Sequence, residues 1–99
     1  MNSEIRKAVV DLTGCSSYFD LHQRLKDSLD FPEGYGMNWS AFWDMINRDL
    51  EYNFVTVVGA NTVDESLKPC IEMMRNLMEK NKKHWAHVEN CFDYEFIDK

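Results

Sequence analysis

The chain alternates between two hydrophobic periods. Ile5-Arg-Lys-Ala-Val-Val-Asp-Leu12 reads as a first strand, ended by Thr13-Gly14. From about Asp20 to Leu29, Leu21, Leu25 and Leu29 recur every four residues, the stripe of an amphipathic helix, and Pro32 stops it. From Trp39 the apolar residues fall at Trp39, Phe42, Trp43 and Ile46, the i, i+3, i+4, i+7 spacing of a second helix that Asn38 is suited to cap. Tyr52-Asn-Phe-Val-Thr-Val-Val58 is continuous, β-branched and bounded by Gly59, as expected of a strand central in a small sheet or covered on both faces. A third helix over about 66–81 carries Leu67, Cys70, Ile71, Met74, Leu77 and Met78 on one stripe, with Pro69 tolerable only in its first turn. Phe92-Asp-Tyr-Glu-Phe-Ile97 alternates apolar and acidic residues, predicting a last strand with one face in solvent.

Strands joined through helices make parallel pairs, so the expected fold is α/β, a three-stranded parallel sheet with helices packed against it. Ninety-nine residues suffice for one core and not two, which predicts a single domain over 1–99. The chain shows no internal repeat, linker or low-complexity tract. The stretch 80–90 is the one whose element is not evident.

Between the first two helices lies a loop punctuated by Pro32, Gly34 and Gly36. It has little side-chain bulk and leads into a helix whose polar side carries Ser40, Asp44 and Arg48, each four residues apart. Another molecule can approach such a surface closely. The structural alternative for Asp44 is an intrahelical pair with Arg48. His22, beside the leucine stripe, reads as a satisfied, partly buried histidine.

The segment from about 20 to 52 resembles the barstar family of bacterial ribonuclease inhibitors. Asp20-Leu-His-Gln, Leu25-Lys, Pro32-Glu, Tyr35-Gly, Asn38, Ala41, Trp43-Asp44 and Glu51-Tyr52 carry the resemblance in one register without a gap. It implies a small parallel sheet with helices against it. It also implies an inhibitor that blocks a secreted ribonuclease, typified by barnase, inside the cell that makes it. The loop and second helix would enter the enzyme's cationic cleft, with Asp44 at the family's principal aspartate. The partner-binding residues implied are Gly34, Tyr35, Gly36, Asn38, Ser40, Trp43 and Asp44.

This chain departs from the family pattern at several places. Gly34 stands where the prototype has an aromatic residue, and Ser40 where it has a second acid. Asp49 replaces a tryptophan, and Asn76 and Lys80 fall at acidic positions of the last long helix. A short family helix between Gly59 and Ser66 is expected to be missing or reduced. These departures leave open a barstar-fold adaptor, or an immunity protein for a partner that is not a ribonuclease.

Charge sharpens the picture by its location. The formal net charge is −6. Residues 18–65 hold nine acids (Asp20, Asp27, Asp30, Glu33, Asp44, Asp49, Glu51, Asp64, Glu65) against Arg24, Lys26 and Arg48, which is also −6. The remainder is balanced at eight and eight. That disfavours direct nucleic-acid binding, which needs a basic footprint, and suits a partner with a cationic cleft. Three cysteines without paired spacing, no apolar run of membrane length and no secretory h-region predict a reduced cytoplasmic protein. A monomer when free, with no cofactor, is expected. No nucleophile with an evident base or phosphate-binding glycine motif points to catalysis. His84-x-x-His87-x-x-x-Cys91 offers three zinc ligands where a structural site wants four, so no metal is expected.

Overall fold

The computed structural model describes residues 5–88 and 91–99, with the backbone alone at Asp49. Its order is β1 (Lys7–Asp11), α1 (Tyr18–Leu29), α2 (Trp39–Asp44) continued by a π-helical turn (Met45–Asp49), β2 (Phe54–Val58), α3 (Lys68–His84) and β3 (Asp93–Ile97). The three strands are parallel, in the order β1-β2-β3. Val9 stands opposite Thr56 and Thr56 opposite Glu95. The central strand is thus the one predicted from its continuous β-branched run.

Every helix lies against the same sheet face, because the alternate residues Ala8, Val10, Val55 and Val57 are the buried ones. On these pack the predicted stripes: Leu21, Leu25 and Leu29 from α1, Phe42 and Ile46 from the second helix, and Ile71, Met74 and Met78 from α3. The other face leaves Val9 60% exposed. The central strand is therefore covered on one face, with Thr56 donating to Glu95 at 2.9 Å on the open side.

Local chemistry sets the boundaries. Ser17 caps α1 by accepting the Asp20 N–H at 3.0 Å, so the helix begins two residues before the position expected. Arg24 donates to the carbonyls of Asp11 at 3.2 Å and Thr13 at 2.9 Å, tying α1 to the end of β1. Pro69 does lie in the first turn of α3, where its missing N–H costs nothing. Between Gly59 and Ser66 the expected helix is reduced to two 3-10 turns, Ala60–Thr62 and Glu65–Leu67. The unassigned stretch after residue 80 begins as a continuation of α3 to His84. No described helix is long and apolar enough to cross a membrane.

Candidate functional site

The loop before α2 is held to the core by buried aromatic rings. Phe31 is buried, its ring 4.8 Å from that of Tyr35. A hydrogen bond of 2.7 Å joins the Tyr35 hydroxyl to Nδ1 of His22 on α1. Trp39 closes the cluster, 4.5 Å from the His22 ring and perpendicular to Phe42 at 5.4 Å. His22 is fully buried, and no described group meets its Nε2. Burial lowers its pKa to about 4, so it is a neutral imidazole at ordinary pH, and burial raises that of Tyr35.

Between these anchors Pro32, Glu33, Gly34 and Gly36 are exposed. A Cβ at Gly34 would meet nothing within 4 Å, whereas one at Gly36 would sit 3.2 Å from Nδ2 of Asn38 and 3.3 Å from the Ala41 Cβ. The left-handed residue of the loop is neither glycine but Met37, with φ of 57°. Asn38 then starts the helix as predicted. Its Oδ1 accepts the Ala41 N–H at 2.7 Å while its amide donates to the Gly36 carbonyl at 3.2 Å. The cap therefore fixes the last turn of the loop as well as the first turn of α2.

On α2, Phe42 is buried and Trp39 and Trp43 are half-buried; Ile46, in the turn that follows, is buried too. Ser40, Asp44 and Arg48 are exposed. Among the described residues no ion pair joins Asp44 to Arg48, and none engages Asp44 at all. From Met45 the chain leaves α geometry for a single π-helical turn that carries Arg48.

Side chains from α3 hold that turn. Asn81 is fully buried, and its Nδ2 donates to the Ile46 carbonyl at 3.0 Å while its Oδ1 accepts from the Asn47 amide at 3.0 Å. Trp85 donates its indole N–H to the Asn47 carbonyl at 3.2 Å. Beside them the Lys80 ammonium lies 4.6 Å from the centroid of Trp43.

Five of the seven residues singled out by resemblance (Gly34, Gly36, Asn38, Ser40 and Asp44) are exposed along one continuous loop–helix segment. Trp43 is half-buried under Lys80. Tyr35 stands apart: at 7% exposure, its hydroxyl on His22, its side chain holds the loop from within. The Asp49 side chain lies outside the described residues. His84 and His87 are exposed on either side of Trp85, and no metal-binding group of three His, Cys, Asp or Glu side chains occurs among the described residues. Nothing in the sequence reading marks Asn47 or Asn81, and it marks Lys80 only as a departure from the family's acidic pattern, not for its contact with Trp43. Asn81 carried a signal, since it extends the Ile71, Met74, Met78 spacing with a polar residue at a position that must be buried.

The Barstar (barnase inhibitor) family model matches residues 5–97. A protein of Bacillus subtilis (strain 168) named "Putative ribonuclease inhibitor YrdF" is 43% identical over 42 residues, which cover 42% of this chain and 46% of that protein. The match thus spans about half the length of that relative. With a parallel three-stranded sheet, a braced loop before α2 and a family match over nearly its whole length, the chain belongs to the barstar family.

Proposed function

We infer that this protein inhibits a secreted ribonuclease by occupying its phosphate-binding cleft. One observation carries the reading: Asp44 is an exposed carboxylate that the protein leaves unpaired among its described residues, on a helix braced at both ends. A cleft that holds RNA phosphate presents arginine, lysine and histidine donors. A carboxylate can accept several charge-assisted hydrogen bonds from them, in place of phosphate oxygens. Bracing supports this role, because a helix already fixed loses little conformational freedom on binding.

The exposed backbone of Gly34 and Gly36 allows close approach, and the exposed Asn38 and Ser40 lie on the same loop–helix segment as the aspartate. The net charge carried by residues 18–65 draws the two proteins together, an effect for which the barnase–barstar pair is itself the standard example. In this reading the protein is not an enzyme and binds no cofactor or nucleic acid. It acts as a monomer in the cytoplasm of the cell that makes the ribonuclease.

Gly34 and Ser40 favour a target that differs from barnase, since they remove an aromatic ring and an acid from the surface. They also favour a second reading, a partner that is not a ribonuclease, engaged through the same face. The test is titration of RNA cleavage by a panel of barnase-type ribonucleases. Stoichiometric inhibition of one of them supports the first reading. No inhibition of any, by a folded protein, moves the account to the second.

A further inference from the structure

We propose that Lys80 is a specificity-determining contact of the α2 surface, selecting a partner that sets a carboxylate beside the cation taken by Asp44. This rests on the reading that the α2 face is the binding surface. Trp43, the ring on which the Lys80 ammonium lies at 4.6 Å, directly precedes Asp44 in the chain.

Neighbouring cations of α3 are already engaged: Lys82 with Asp93 at 3.1 Å, Lys83 with Glu79 at 3.9 Å, and Arg75 over the Phe96 ring at 4.1 Å. Glu79, next to Lys80 in sequence, also accepts from the Tyr94 hydroxyl at 2.6 Å. Lys80 itself forms no ion pair among the described residues, and it is exposed. An aromatic face restrains a lysine without neutralising it. The surface thus presents a positive charge held on the residue that directly precedes an unpaired negative one. A partner whose rim is cationic throughout would meet Asp44 well and be repelled by Lys80, the usual means of rejecting a wrong partner.

The competing role is purely apolar, with the lysine stem covering Trp43. That role needs the methylenes and not the charge, so Lys80→Met separates the two.

RNA cleavage by a barnase-type ribonuclease is titrated with wild type, Lys80→Met, Lys80→Glu and Asp44→Ala, at low and at physiological salt. Lys80→Glu should inhibit at least about tenfold more tightly than wild type, with Lys80→Met between them and the gap shrinking as salt rises. Unchanged or weaker inhibition by Lys80→Glu, with Asp44→Ala still defective, overturns the proposal and leaves the binding surface standing. Asp44→Ala as good as wild type overturns the surface itself. No inhibition by either wild type or Lys80→Glu also counts against the proposal, because removing the repulsion should restore binding.

Discussion

The Tyr35 hydroxyl and Nδ1 of His22 share a hydrogen bond of 2.7 Å inside the protein, fixing the loop of the candidate site to α1. Breaking it leaves a buried imidazole with no partner at either nitrogen among the described residues. Tyr35→Phe should therefore cost about 1–3 kcal/mol in urea denaturation, the penalty of an unsatisfied buried polar group.

The same histidine makes stability depend on pH. Its folded pKa is about 4 because burial disfavours the charged form, while an unfolded histidine titrates near about 6.5. Between these values the unfolded chain binds more protons, so stability rises with pH. The contribution, of order 3 kcal/mol, is complete above about pH 6.5 and is lost as pH falls to about 4. Asp11 and Asp64 are held below the usual carboxylate value by hydrogen bonds from Thr13 and Ser66, so their losses come at lower pH. Urea midpoints at pH 7 and pH 5 should differ for wild type and converge for His22→Gln. An equal difference in both proteins would assign the slope to other groups.

Asn81 should matter more than its single side chain suggests. Asn81→Ala removes the donor to the Ile46 carbonyl and the acceptor for Asn47, at a site with little water to replace them. The expected loss is about 2–4 kcal/mol, with amide exchange accelerated at residues 45–49 above the rest of the second helix. Destabilisation with uniform exchange throughout would mean that the turn does not depend on Asn81.

Two glycines should respond oppositely to a side chain. Gly59 has φ of 77°, and a Cβ there would lie 2.4 Å from Thr13 Oγ1 and 3.0 Å from the Thr13 backbone nitrogen. Gly59→Ala should cost at least about 1–2 kcal/mol from the backbone conformation alone. Gly34→Tyr enters open space and should leave the thermal midpoint nearly unchanged. Paired with Ser40→Asp, it should strengthen inhibition of a barnase-type enzyme by restoring a ring and an acid at the surface. A folded double variant no better than wild type would place these positions outside the contact.

How far the structure could be read in advance follows from the range of the interactions involved. The strands, the leucine stripe of α1, the Asn38 cap and the first-turn Pro69 depend on neighbours in the chain, and all were readable. The Ser17-x-x-Asp20 cap is equally local, yet the leucine stripe alone puts the start of α1 two residues late. The π turn was not readable, because Met45-Ile-Asn-Arg-Asp49 contains no breaker; its geometry answers to Asn81 and Trp85, more than 30 residues away. The burial of Tyr35 likewise depends on a histidine 13 residues earlier. For the candidate site, resemblance picked out the exposed segment, but the Lys80–Trp43 contact required the packing of two helices.

Association should be steered by charge. Raising the salt to about 0.15 M, where the Debye length is about 8 Å, should slow the on-rate markedly and change the off-rate little. Stopped-flow mixing with an inhibited ribonuclease measures both. An on-rate indifferent to salt would speak against a cationic partner cleft.

The central claim is that Asp44 supplies the principal contact, and calorimetric titration of a ribonuclease that the wild type inhibits tests it most directly. Asp44→Ala, exposed and unpaired among the described residues, should fold with wild-type stability. It should weaken the complex by more than about 2 kcal/mol, the hot-spot range of which the barnase–barstar pair is itself an instance. An affinity equal to that of wild type would make Asp44 ordinary surface and contradict the account.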